Sequence, residues 1–415
     1  MFYSFLKVLV RFVLKIFFRK IHITGVEHIQ INKAQLIASN HPNGFLEPLV
    51  MACFFPKPLH FLVRGDVFDN PLLKPILTST NQIPIFRFRD GFSKLRENSQ
   101  TMDESIKVIL EKKNLLIFAE GGTESIKKLR PLQKGISRIA FQAMEKDPNL
   151  DLEIIPVGIN FTYPSLFNRT VMLRVGPPIH VQDYLEQFKL DPKQTHQTIL
   201  DETYRLMKKN VIHIEDQDRI HLFEKLVIIL RSKVSIPYLP VHINDNTPLD
   251  QEKELAEKVD GLDEVTLLKV KSDIKTLEQT LKNKKVDLLE LTKQPLDCAR
   301  TSILTLGFLP ALLSLVLNGM PILFANLFTK SKVKHVEFKA SILMIGNLLL
   351  FIIYYKLLFI AAFVFGWPLW YVIVVILLAF WLRFYYEYYT TTSFKLNRKE
   401  IADFKNTGFI ILNKL

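Results

Sequence analysis

The chain has 415 residues, enough for a large core and more than one domain, with 48% hydrophobic content and a net charge of +13. Such a charge beside long apolar segments points to an anionic membrane face rather than nucleic acid, for which no recognition motif is visible. The two cysteines, Cys53 and Cys298, are far apart and suit a reduced compartment, and no Cys/His cluster has metal-ligand spacing, so no metal is expected.

The N-terminal stretch "MFYSFLKVLVRFVLKIFFRK" carries Lys7, Arg11, Lys15 and Arg19 on one helical stripe, with Phe, Leu, Val and Ile over the rest. The pattern predicts an interfacial amphipathic membrane helix over 1–20, cations towards the headgroups. A soluble amphipathic helix is the plainer alternative. From residue 21 to 236, short apolar runs ("QLIAS", "LHFLV", "QIPIF", "NLLIF", "EIIPVGINF", "VMLRVG") alternate with helical stretches such as Ser93–Lys113 and Gly135–Lys146. That alternation predicts an α/β domain with a mostly parallel sheet flanked by helices. Asp183–Leu230 reads as helical.

Pro237–Pro248 reads as a boundary, and 237–300 as a helical, coiled-coil-like linker in which Leu267, Val270, Ile274, Leu277 and Leu281 recur by threes and fours. The stripe either packs on its own domain or, as the sharper alternative, forms a homodimer through the 263–293 helix. The remainder reads as membrane-embedded. Residues 301–330 are apolar but interrupted by Asn318-Gly319-Met320-Pro321, which suggests a re-entrant pair bent there. Residues 341–386 are long enough for a two-pass hairpin at about 20 residues per pass. Residues 387–415 form a basic tail, and its lysines place it, with the α/β domain, on the cytoplasmic face.

Four blocks of the α/β region carry residues suited to chemistry. In "IASNHPNGFLEPLV" a strand delivers Asn40 and His41 into a turn, with Glu47 at the start of a helix. A histidine base needs an acceptor on its other nitrogen, and Glu47 is the nearest carboxylate; a histidine that merely caps a helix is the alternative. In "IPIFRFRDG", Arg87 and Arg89 share one parity at a strand end and suit a phosphate. In "LLIFAEGGTES", Glu120 is followed by Gly121, Gly122 and Thr123, where backbone N–H groups can approach an anion. Lys127, Lys128, Arg130 and Lys134 follow. "IIPVGINF", with Pro156, is a strand entering a turn.

In this order and spacing, "NHPNGFLE", "IPIFRFRDG", "FAEGGTE" and "IIPVGINF" resemble the four motifs of the glycerol-phosphate/lysophosphatidate acyltransferase superfamily, over about Ile37 to Phe161. The resemblance implies acyl transfer from acyl-CoA or acyl carrier protein to a hydroxyl of glycerol-3-phosphate or lysophosphatidate, with no bound cofactor. It makes His41 the general base, Glu47 its orienting carboxylate and Arg87 the phosphate holder, helped by Arg89. Glu120, Gly121, Gly122 and Thr123 belong to the acceptor site, with Asn40, Lys134 and Pro156 as further donor or phosphate contacts. The usual first motif is His-x4-Asp; here position 46 is leucine and the acid, Glu47, comes one residue later. The longer loop and the double glycine resemble the eukaryotic-type members, and Ala119 replaces the usual proline. Two other readings stand beside this one: an acyltransferase for another lysophospholipid, and a membrane lipid-binding scaffold without catalysis.

Overall fold

The computed structural model describes residues 2–71, 73–86, 98–162, 167, 169–234 and 237–415. These divide into two compact units, one of residues 1–212 with 241–247, the other of residues 213–240 with 248–415. The α/β domain therefore ends at Ile212 rather than at residue 236, and a short strand from the expected boundary segment returns to it.

Nine strands among the described residues form the sheet of the first unit. They are β1 (Lys20–Thr24), β2 (Ala34–Ser39), β3 (Leu59–Arg64), β4 (Gln82–Ile85), β5 (Asn114–Phe118), β6 (Leu152–Phe161), β7 (Thr170–Val175), β8 (Ile179–His180) and β9 (His242–Ile243). The order is β4-β3-β5-β2-β6-β7-β1-β9, with β8 on β6. Only the pairings of β6 with β7 and β8 are antiparallel. The sheet is thus mostly parallel, as the alternation predicts. Its central strands are apolar on both faces because both are covered. Leu36, Ala38, Leu115 and Ile154 join one core with the helices Asn98–Leu110, Gly135–Lys146 and Pro192–Lys208. Ile37, Leu116 and Ile155, of opposite parity, are equally buried. The expected helix from Ser93 appears as Asn98–Leu110, with 93–97 outside the described residues. The long helical reading over Asp183–Leu230 resolves into Leu185–Leu190, Pro192–Lys208 and Gln217–Arg231.

The N-terminal helix Phe2–Phe17 forms, and of its basic stripe Lys15 is exposed while Lys7 and Arg11 turn onto the domain. Lys7 Nζ donates to the Phe55 carbonyl at 2.6 Å, and Arg11 Nε to the Cys53 carbonyl at 2.8 Å. Both carbonyls lie at the C-terminal end of the helix Leu46–Phe54, where carbonyls lack helical partners and the dipole favours cations. Phe5, Val8 and Phe12 are the large apolar side chains left exposed on the N-terminal helix.

In the second unit, the predicted stripe Leu267, Val270, Ile274, Leu277 and Leu281 lies on the helix Glu264–Asn283 and is buried within a single chain. A homodimer through residues 263–293 therefore lacks this stripe as an interface. The tail is not loose either. Residues Arg398–Leu412 form a helix with an Asn397–Glu400 capping box, and Ile401, Ile411 and Leu412 are buried.

Three helices, Phe308–Lys332, Val336–Val364 and Trp370–Thr390, are long and apolar enough to cross a membrane. The first is continuous, so the expected bend at Asn318–Pro321 is absent. The reason is local. Pro321 has no N–H for the Leu317 carbonyl four residues earlier, and the Tyr354 hydroxyl donates to that carbonyl instead. Asn318 is buried, donating to the Val375 carbonyl at 3.1 Å and accepting from the Tyr355 hydroxyl at 2.9 Å. The chain break falls earlier, at Gly307. The first and third helices run antiparallel: Trp381 donates to the Gly307 carbonyl and Ser314 to the Leu378 carbonyl. Tyr354→Phe should lower thermal stability in detergent by about 1 kcal/mol, an ordinary interhelical hydrogen bond. Adding Pro321→Ala should recover it, because the new N–H serves Leu317. A Tyr354→Phe variant as stable as wild type contradicts this account.

Candidate active site

The site forms at the C-terminal ends of β2, β5 and β6, where parallel strands release their loops. Asn40 continues β2 by side chain. Its amide donates to the Ile159 carbonyl at 2.9 Å, and its oxygen accepts the Ile159 N–H at 2.8 Å. It works as a strand extension, so the expected donor contact is not what holds it. His41 follows, its ring stacked on Phe118 with centroids 3.8 Å apart and planes at 11°. That stacking fixes the ring plane; sequence reasoning missed Phe118, although the Ser39–Phe118 register places it beside the end of β2.

The turn after His41 explains the displaced acid. The Leu46 N–H donates to the Asn43 carbonyl at 3.1 Å, and the helix starts at Leu46. Leu46, at the position where the motif usually has its acid, turns into the core. Glu47 then points at His41, Oε1 lying 3.4 Å from Nδ1, and is wholly buried. It also accepts the Asn43 N–H. Burial pushes the Glu47 carboxyl above its ordinary value, while His41 and the N–H groups of Asn43 and of Glu47 itself pull the other way. Its place in the first helical turn also favours the anion. A buried carboxylate 3.4 Å from a ring nitrogen is close enough to orient the ring, and such contacts tighten when substrate binds.

Glu120 takes a different place from the phosphate contact expected of it. Its buried carboxylate accepts from the His41 N–H at 3.0 Å, the Arg130 N–H at 2.9 Å and Arg130 Nη2 at 3.2 Å. An ionised carboxylate accepts and cannot donate to a phosphate; here it holds the His41 backbone. Gly121 has φ 72°, a left-handed conformation that favours glycine, and Gly122 and Thr123 are half-buried beside it. Lys134 is exposed just before the helix Gly135–Lys146. Pro156 lies within β6 and is buried, with its carbonyl bonded to the Gly176 N–H at 2.8 Å and to Asn210 at 3.0 Å, so it offers a substrate no surface. Arg87 and Arg89 lie outside the described residues.

Asp151, Glu153 and His180 place potential ligand atoms within 4.8 Å of one another. Lys33 already pairs with Glu153 at 2.6 Å and Asp151 at 3.2 Å, so an ammonium answers those charges. The cluster starts where β2 and β6 begin, not where they deliver His41.

Residues 20–160 match the family model described as Acyltransferase, which covers β1 to β6. These residues form an acyltransferase-type domain, and it is similar to those of glycerol-3-phosphate acyltransferases. Among curated proteins it is similar to glycerol-3-phosphate O-acyltransferase 1 of Saccharomyces cerevisiae, with 34% identity over 65 residues, 16% of this chain and 9% of that protein. It is 28% identical to glycerol-3-phosphate O-acyltransferase 2 of the same yeast over 105 residues, 25% of this chain and 14% of that one. An uncharacterised acyltransferase of Schizosaccharomyces pombe is 25% identical over 136 residues, 32% of this chain and 19% of that protein. The matched segments thus span less than a fifth of these relatives' length. Among solved structures, the 1-acyl-sn-glycerophosphate acyltransferase PlsC of Thermotoga maritima aligns with TM-score 0.34 and 16% identity, over 46% of this chain and 70% of that one.

Proposed function

We propose that this protein is a membrane-bound O-acyltransferase of phospholipid biosynthesis. It moves an acyl chain from acyl-CoA or acyl carrier protein to a hydroxyl of glycerol-3-phosphate or lysophosphatidate, with the catalytic domain on the cytoplasmic face. The observation that carries the reading is the buried Glu47 carboxylate 3.4 Å from His41 Nδ1. Once this contact tightens so that Nδ1 donates to Glu47, the ring's Nε2 is left as the base. It takes the proton of the acceptor hydroxyl as that oxygen attacks the thioester carbonyl. The tetrahedral intermediate collapses, the C–S bond breaks, and the thiolate leaves with the proton that His41 returns. Arg87, with Arg89, binds the acceptor's phosphate and so orients its hydroxyl.

The two yeast relatives carry glycerol-3-phosphate in their names, which favours that acceptor over lysophosphatidate. The test compares kcat/KM for glycerol-3-phosphate, lysophosphatidate, a phosphate-free glycerol acceptor and a choline-bearing lysophospholipid, each with both donors. The expected result is a preference for the phosphate-bearing glycerols over the phosphate-free acceptor by at least a hundredfold, about the contribution of a charged contact. Equal turnover of the phosphate-free acceptor removes the phosphate from the reading.

A further inference from the structure

We propose that Arg130 is a positioning residue for His41, acting through the loop 120–124; the inference rests on the acyl-transfer reading above. The backbone of His41 is held on both sides by that loop. Its N–H donates to Glu120 Oε2 at 3.0 Å, and its carbonyl accepts the Glu124 N–H at 3.1 Å. Two adjacent glycines, Gly121 and Gly122, lie between these two anchors, which gives the loop the largest conformational freedom a chain can have. Something else must fix its shape, and Arg130 meets it at three points. The Arg130 N–H donates to Glu120 Oε1 at 2.9 Å, and Nη2 reaches Glu120 Oε2 at 3.2 Å. Nη2 also donates to the Gly122 carbonyl, and Nη1 lies 3.5 Å from Glu124 Oε2.

The geometry makes the Arg130 contact with His41 indirect but short. Glu120 Oε2 is shared between the His41 N–H and Arg130 Nη2, so the guanidinium sets where the oxygen sits that the His41 backbone binds. Glu120 is also almost wholly buried, with side-chain exposure of 4%, where an unpaired carboxylate is costly and Arg130 is its cationic partner. The planar fork is what allows one side chain to reach Glu120, Gly122 and Glu124 together; a lysine ammonium has no such fork.

Arg130→Ala should lower kcat 10- to 100-fold, the cost of misplacing a base by about 1 Å, while the KM for glycerol-3-phosphate changes less than twofold. Arg130→Lys should recover part of that loss. Independently of turnover, amide hydrogen exchange should quicken in the 38–43 segment of Arg130→Ala and stay unchanged in β6 and the helix Pro192–Lys208. Should Arg130→Ala fail to fold, Glu124→Gln removes one of the three points and is expected to show the same pattern, smaller. A raised acceptor KM with kcat unchanged makes Arg130 a phosphate ligand and overturns the proposal. So does wild-type kcat and exchange in both variants. A wild-type protein that turns over no acceptor, yet whose 38–43 exchange responds to Arg130→Ala, refutes the acyl-transfer reading and leaves the clamp.

Discussion

Replacing His41 with asparagine should lower turnover with every donor and acceptor by about a thousandfold or more, with the fold intact. General-base removal costs about a hundred to ten thousand times in rate. The ring is held by three independent features: stacking on Phe118, the Glu47 carboxylate, and backbone bonds to Glu120 and Glu124. Asparagine keeps the backbone bonds but removes the base together with its stacking on Phe118 and its Glu47 contact, so circular dichroism should match wild type while thermal melting falls slightly. Binding of the acceptor, measured by equilibrium dialysis, should also survive, because the proposed phosphate contacts lie elsewhere. An active His41→Asn variant would take the base away from this residue.

The second large effect falls on Glu47. Glu47→Asp keeps the charge but withdraws the carboxylate by one bond, about 1.5 Å, from a starting separation of 3.4 Å. The helix Leu46–Phe54 cannot follow, since Leu46 is locked in the core and Lys7 and Arg11 bind its far end. We expect kcat to fall about a hundredfold with KM little changed. Glu47→Gln should lose comparable activity but show a different stability. Burial raises the folded pKa of Glu47 above its unfolded value, so the folded state binds the proton more tightly. Stability from this group is then full at low pH and is lost as pH rises from the ordinary carboxyl range through the raised folded value. At neutral pH the glutamine variant should be at least as stable as wild type, and the difference between them should vanish in acid. Chemical denaturation at a series of pH values measures this. A glutamine variant that is markedly less stable at neutral pH contradicts the assigned cost of burying that charge.

What could be read from the sequence follows from what a sequence encodes. The central strands of the sheet are legible because strands covered on both faces are continuous apolar runs, as in "NLLIF" and "EIIPVGINF". His41 and Glu47 are legible because a strand end and a helix start bring them together within a few residues. The direction of the N-terminal basic stripe was not legible. Spacing places Lys7 and Arg11 on one face, but what that face meets is the carbonyl end of another helix. The unbroken helix at Pro321 depends on the Tyr354 hydroxyl, which no local pattern predicts. Arg130 looked like one cation in a basic run; its role depends on a loop closing back on Glu120. The first unit's last strand, His242–Ile243, is too short to announce itself beside the prolines around it.

The most direct test follows one turnover of purified protein in anionic vesicles. Labelled acyl-CoA is mixed with glycerol-3-phosphate, and free thiol and acylated acceptor are measured over the same time course, for wild type and His41→Asn, then repeated with acyl carrier protein as donor. Direct transfer through the His41–Glu47 dyad predicts one thiol released per acceptor acylated with at least one donor, no thiol released without acceptor, and neither product with His41→Asn. Thiol release without acceptor acylation, or equal product from the two proteins, would contradict it.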